Sequence, residues 1–457
     1  MRQTTEETQN TLLKMLDEHY KNRSWDSPHY QSMCRCAWEA FCTTPLPTGK
    51  QPLYRHLPLT KLFNGMLDQG KRVGPTPENR DFENRIRGST GGAKIVFVNG
   101  RFSRKYSRLD LLGGGAFVQS LSDAFRAHGP SIAMRSRSLV QQERDPLVLA
   151  GLALHQDAVL FYLPPKIRLE QPITVVHVVD DALSSSVGSP IMTPLIQWVI
   201  GDRSSCCIEV LSPRTGISLP FHSLILNQGS QVEFKLGNAI GNVIASPLRN
   251  TCGAAPMKEE EESFWDLSCV RAHLKRGASI NLKQLDIQTS GFLRRDFRID
   301  LWGEGAQAHV QSGWITQGAM HTHVRVFHHA EQCMSRQDLR GVVLGKGRSH
   351  ASGEINVEPK AQETDAYHRS RTLLMSQQSR GTASPHLEIG ADRVRASHGA
   401  TVVPLDPIHL FYLQSRGVPL RRACPLLSAS FLAPLFEVEE GASRKLNQLK
   451  EYLNELC

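Results

Sequence analysis

From about Gln156 onward the chain is written in short segments that alternate apolar and polar residues, punctuated by Gly and Asn, and this texture excludes most folds. Residues 158–163, 173–179, 231–236 and 296–302 each read as a strand with a period of two. A corner signature recurs between such segments: Gln228-Gly229-Ser230, Arg276-Gly277-Ala278, Glu304-Gly305-Ala306 and Ile389-Gly390-Ala391. The first three glycines suit stacked coils of about two dozen residues with occasional insertions. One such coil cannot bury its own apolar face, so neighbours must stack, and a small residue at each corner lets the backbone turn sharply. The expected fold is therefore mainly β: a β-helix core flanked by N-terminal and C-terminal α-helical regions. A β-sandwich is the rival reading, but its hairpins favour two-residue turns such as Asn-Gly.

The flanks differ from the core. Residues 1–92 read as helices, with Leu12, Leu13 and Leu16 at helical spacing, then Trp38, Phe41 and Cys42 before Pro45 and Pro47. A Gly-rich stretch at 88–92 precedes a strand at 94–100, and residues 103–145 have helical character around 117–125. The expected organisation is a helical region at 1–92, a β-helix core with its preceding linker at 93–413, and a helical docking region at 414–457. In the last region Leu426, Leu427, Phe431, Leu435 and Phe436 form an apolar face, and Leu446, Leu449, Leu453 and Leu456 continue it as a narrow seam. Such a seam docks on the protein's own body or on a partner. The segment 253–263, with four consecutive glutamates at 259–262, reads as a solvated loop on one coil.

Several functions are disfavoured. No run of about 18 apolar residues reads as a membrane span. The acidic start, with Glu6, Glu7, Asp17 and Glu18, resembles neither a signal nor a transit peptide, so a cytoplasmic location is expected. Ten cysteines form no CxxC pair, which favours reduced thiols over a zinc site. The net charge of +9 comes from scattered basic residues without a nucleic-acid-reading motif. Leu344-Gly345-Lys346-Gly347 lacks the first glycine and the Ser or Thr of a phosphate-binding loop, and Gly347-Arg348-Ser349-His350-Ala351 lacks the closing glycine of a nucleophile elbow. Asp296 and Asp300 share a strand face with Arg294 and Arg298, which reads as a solvated, salt-bridged face. The competing reading of that face is a glycan-cleaving β-helix lyase or hydrolase. His321, His323, His328, His329 and Cys333 crowd one region and could hold a metal only if the fold brought them together.

Seven motifs then follow in order over about eighty residues: Cys333-Met334-Ser335-Arg336-Gln337, Gly353-Glu354-Ile355-Asn356-Val357, Ala361-Gln362-Glu363-Thr364-Asp365-Ala366-Tyr367, Leu373-Leu374-Met375-Ser376, His386-Leu387-Glu388-Ile389-Gly390-Ala391-Asp392, Ser397-His398-Gly399-Ala400-Thr401 and Leu410-Phe411-Tyr412-Leu413-Gln414-Ser415-Arg416-Gly417. Together they closely resemble the SufB/SufD family of iron-sulfur assembly scaffolds. Val96-Phe97-Val98-Asn99-Gly100-Arg101-Phe102, Val159-Leu160-Phe161-Tyr162-Leu163-Pro164-Pro165 and Leu169-Glu170-Gln171-Pro172-Ile173 look like its SufD branch. The resemblance implies a non-catalytic scaffold subunit whose last β-helix strands pair with a SufB-like subunit and whose C-terminal helices hold a SufC-like ATPase, with a homodimer open to it when isolated. It implies that no cofactor is bound stably and that a transient iron-sulfur cluster or iron is handled near Ser397, His398, Gly399, Ala400 and Thr401, with His398 as the contributor. Many family members carry cysteine two residues before this histidine; here the position is Ala396, so no thiolate comes from it. Ligation by His398 and a hydrogen bond across the subunit junction both remain open. The third reading, a SufB-type partner subunit, is disfavoured by the scarcity of cysteine between 334 and 423.

Overall fold

The computed structural model describes residues 2–22, 28–48, 51, 54, 59–68, 92–127, 140, 143–155, 157–178, 191–212, 216–238, 265–435, 447, 449–451 and 453. The expected acidic loop at 253–263 and Phe436, Leu446 and Leu456 lie outside them.

Two sheets face each other, and successive strands of the core alternate between them. One sheet contains Ser279–Gln288, Gln307–Thr316, Met334–Val343, Thr364–Leu374 and Val394–Pro404; the other contains Trp265–Leu274, Phe292–Leu301, Ala319–His328, Arg348–Val357 and Arg380–Ile389. Every pairing among these strands is parallel. This is the expected β-helix, and the β-sandwich is excluded because its sheets are antiparallel. Phe292 pairs with Ala319, Ala319 with Arg348 and Arg348 with Arg380, so successive turns take 27, 29 and 32 residues, somewhat more than two dozen.

The corners explain why the glycine spacing is only partly regular. Gly229, Gly277 and Gly305 all have left-handed backbones, with φ of 65°, 62° and 71°. Arg203, Gln332 and Glu363 occupy the same corner in other turns at φ of 55°, 57° and 60°. Each of the six donates its backbone N–H to a carbonyl of the next turn, and the residue after each is buried. Gly390 is not such a corner; its amide bonds the Val357 carbonyl at a strand exit. No atom lies within 4 Å of a Cβ added at Gly277 or Gly305, so an alanine there meets only backbone strain. Gly277→Ala is expected to cost about 1 kcal/mol in a urea titration, and Gln332→Gly to recover a similar amount. Equal stability of Gly277→Ala and the parent would sink this account.

The two ends of the solenoid differ. At the N-terminal end each sheet finishes in a short antiparallel strand: Arg101–Phe102 against Lys94–Val98, and Phe117–Ser120 against Asp157–Leu163. At the other end both sheets finish in full-length parallel strands.

The helical flanks cover opposite outer faces. Helices Arg2–Lys21, Pro28–Thr43, Leu59–Asp68 and Pro146–Leu154 lie on the sheet that contains Phe292–Leu301. Leu12 and Phe41 are buried as their spacing predicts, whereas Cys42 is exposed. Of the helical character expected around 117–125, residues 121–127 are helical while 117–120 form a strand, and helix Pro146–Leu154 has no counterpart in the sequence reading. Asp145 caps that last helix by accepting from the Leu147 and Val148 amides, with Pro146 at its first position. At the C-terminus, helices Pro407–Ser415 and Leu420–Leu432 follow the final strand. Leu432, Leu435, Leu449 and Leu453 pack on the outer residues Leu285, Ile287, Ile315, Val342 and Leu344 of the other sheet.

The carboxylates Asp296 and Asp300 do not lie on a solvated face. Both are fully buried, Asp296 together with Arg294 beneath the N-terminal helical region and Asp300 between Arg298 and His329 of the solenoid itself. Asp296 accepts from Arg271 (2.9 Å) and Arg325 (3.0 Å) and sits 3.4 Å from Arg294. From the covering side Glu143 accepts from Arg271 at 2.8 Å, and Asp145 pairs with Arg294 and with the Tyr54 hydroxyl. The spacing placed these charges together correctly; the cover over Asp296 and its arginines comes from residues far away in sequence.

Candidate functional site

The last turn of the β-helix is unlike the others because nothing stacks on it among the described residues. Arg380–Ile389 pairs only with Arg348–Val357, and Val394–Pro404 only with Thr364–Leu374, so both strands present a free hydrogen-bonding edge. Two adjacent parallel edges of this length form a template for another chain.

Register decides which side chains line the interior. Val310 belongs to the core and pairs in succession with Gln337, His368 and His398, so these four form one inward-facing column. Ala396 faces inward two residues earlier, and Ser397, Gly399 and Thr401 face outward. Ser397, His398, Gly399, Ala400 and Thr401 are all exposed, His398 and Ala400 because the turn that would cover them is absent. The five residues expected at the junction are thus together on the terminal strand.

Beneath His398 lies His368, which sequence inspection did not single out. It is buried, with 3% of its surface exposed. Its Nδ1 lies 2.9 Å from the Gln337 side-chain oxygen, and the Gln337 amide nitrogen donates to the Glu354 carbonyl at 3.3 Å. The amide orientation is therefore fixed, the Gln337 oxygen accepts, and Nδ1 of His368 carries the proton. Nε2 then holds a lone pair, and it has no hydrogen-bond partner. Room for the ring comes from Gly353, where a Cβ would fall 1.9 Å from the imidazole. Burial, reinforced by nearby His398, pushes the His368 pKa down to about 4, so the ring is neutral near pH 7.

Beside the open end, helix Pro407–Ser415 has no buried residue. Ile408, Phe411 and Tyr412 are 73%, 72% and 57% exposed, and Leu420 at the start of the next helix is 51% exposed, which is more apolar surface than isolated residues explain. Of the C-terminal residues expected to meet a partner, Leu426, Leu427 and Phe431 are half-buried, and Leu435 is buried against the protein's own sheet. Gly313 makes that seat, since a Cβ there would lie 2.6 Å from Leu435. The apolar residues most open to a partner are therefore on the preceding helix.

The histidine-rich region does not converge. His321 packs on Phe292 and His350. His323 faces Asp296, His328 turns inward to the Ser335 hydroxyl (2.9 Å), and His329 lies between Asp300 (3.0 Å) and Glu358 (2.6 Å). Cys333 is buried at a corner, and burial pushes its thiol pKa up. Among the described residues, no group of three or more His, Cys, Asp or Glu could hold a metal ion.

The comparisons with known proteins point the same way along the chain. Residues 251–431 match the family description "SUF system FeS cluster assembly, SufBD core domain", and residues 6–175 match "SufBD protein N-terminal region". The chain is 38% identical over 121 residues to the "Iron-sulfur cluster assembly protein SufD" of Escherichia coli, covering 26% of this chain and 29% of that protein. It is 24% identical over 306 residues to the protein of the same name in Bacillus subtilis, covering 65% of this chain and 63% of that one. It is 24% identical over 264 residues to "Protein ABCI7, chloroplastic" of Arabidopsis thaliana, covering 55% and 54%. Each match spans less than two thirds of the relative's own length.

Proposed function

Because this chain belongs to the SufB/SufD family of iron-sulfur cluster assembly proteins, with SufD among its relatives, we propose that it is a non-catalytic scaffold subunit of a SUF assembly complex. It pairs through its terminal turn with a SufB-like subunit and carries a SufC-like ATPase on its C-terminal helices, in the cytoplasm. The uncapped turn is the observation that carries this reading: two free strand edges and an exposed inner face make sense when another solenoid end completes them. The exposed Ile408, Phe411 and Tyr412 support a second, separate contact for the ATPase. Iron and the nascent cluster are cargo at the junction, where His398 contacts them and Ala396 supplies no thiolate; the exposure of His398 on the terminal strand supports this role. No helix among the described residues is long and apolar enough to cross a membrane.

The glycan-cleaving alternative loses its chemistry in this arrangement. Its carboxylates must meet a substrate, and Asp296 and Asp300 are buried and paired with arginine or histidine.

The two contacts are separable by substitution. Co-purification with SufB-like and SufC-like proteins from the source is expected to recover both with the native chain. Ala400→Glu, a charge on the exposed inner face, should lose the SufB-like partner and keep the ATPase, and Phe411→Glu should do the reverse. A native chain that retrieves neither protein would refute the scaffold role.

A further inference from the structure

We propose that His368 and His398 together form a two-imidazole site for a divalent transition-metal ion at the open end of the β-helix, with Gln337 as the positioning residue that presents Nε2 of His368 as a ligand. This deepens the scaffold reading and rests on it for its biological purpose; the geometry belongs to this chain alone.

Four observations converge. His368 and His398 are direct register partners on adjacent strands and face the same interior. Strands lie about 4.8 Å apart, and two imidazole nitrogens that share one ion must each approach it to about 2.0–2.1 Å, a separation that neighbouring side chains on one face span without moving the backbone. Gln337 fixes the proton of His368 on Nδ1, the arrangement in which metal-bound histidines are held by an outer hydrogen bond. Nε2 is buried and has no hydrogen-bond partner, so its lone pair is open to a ligand. Gly353 gives up a side chain in mid-strand so that the ring fits.

Other buried histidines, such as His177, His222 and His328, also leave one ring nitrogen without a hydrogen-bond partner; His368 differs in its register partner, a second histidine on the open turn. Here one nitrogen is tethered and the other is bare beneath an exposed second imidazole. Neutral imidazoles suit borderline divalent ions, and two ligands leave positions open for groups from a docked partner.

The test uses the full-length chain, alone, titrated with Co(II) as the probe at pH 7.5 and read by the visible d–d absorption of the bound ion. The native chain is expected to take up one Co(II). His368→Gln and His398→Gln should each weaken binding tenfold or more, and Gln337→Leu should weaken it by a similar order through loss of the outer hydrogen bond. Gly353→Ala, which fills the space of the ring, should displace His368 and act like His368→Gln. Circular dichroism melts of each variant separate a lost ligand from a lost fold. Native protein that shows no Co(II) spectrum, or a folded His368→Gln variant that titrates like the native chain, would overturn the site. Since no partner is present, this failure is distinguishable from failure of the co-purification.

Discussion

Replacing Asp296 with alanine is expected to destabilise the protein by about 3–5 kcal/mol, the range for breaking a buried ion-pair network from one side. The carboxylate is fully buried and is shared by Arg271, Arg294 and Arg325. Its removal leaves Arg271 with Glu143 and Arg294 with Asp145, while Arg325 has no other ion pair among the described residues. Asp296→Asn preserves the volume and some hydrogen bonds, so it should cost less. Urea titration at pH 7 checks both, and a loss below about 1 kcal/mol for the alanine variant would contradict the network's importance.

The same network sets the acid sensitivity. Burial opposes the charge of Asp296, but Arg271 and Arg325 outweigh it and hold the carboxyl well below the usual carboxylate range. Asp145 and Asp300 are lowered as well, against burial, chiefly by Arg294 and by His329 respectively. A depressed carboxylate contributes stability that is complete above its unfolded pKa and is lost as pH falls through its folded pKa. Stability should thus be insensitive to these groups above about pH 5 and fall progressively below about pH 4. Asp296→Ala should flatten that fall in urea titrations at pH 3 and pH 7, and an unchanged slope would exclude Asp296 as its source.

A second large loss, about 3–5 kcal/mol, is expected for Trp314→Ala. Trp314 is completely buried between the sheets and donates its indole N–H to the Ser349 hydroxyl at 2.9 Å. Its register partner is Gly341, where a Cβ would lie 2.2 Å from the indole ring. Gly341→Ala alone should therefore cost about 1–3 kcal/mol through overpacking. Combined with Trp314→Leu it should cost less than the sum of the two single changes, because the smaller partner frees the space. Strict additivity in a double-mutant cycle would show that the glycine is not there for the indole.

These cases mark where the sequence informs and where it falls silent. Alternation and the Gly229, Gly277 and Gly305 corners identify the solenoid because period and left-handed turns leave residue signatures. Arg203, Gln332 and Glu363 adopt the same backbone with ordinary side chains, so those corners carry no mark. The shared face of Asp296 and Asp300 follows from a period of two. The burial of Asp296 does not, because Glu143 and Tyr54 approach from 128 and 240 residues away from the arginines they meet. His398 stands in a recognisable motif, whereas His368 gains meaning only through Gln337, 31 residues distant in the chain, and through the register that sets it beneath His398. The C-terminal leucines announce an apolar seam, but the sheet that receives most of it is known only once the turns are stacked.

The contrast between the two ends of the solenoid limits what the protein can build. A molecule with adhesive edges at both ends would add copies head to tail and grow into a filament. Here the N-terminal end is blunted by antiparallel strands of two and four residues, so among the described residues only the opposite end can recruit. An adhesive end can then meet only another adhesive end, and the first such encounter consumes both. Growth terminates at a pair, and the chain can keep an open backbone edge for its partner without polymerising.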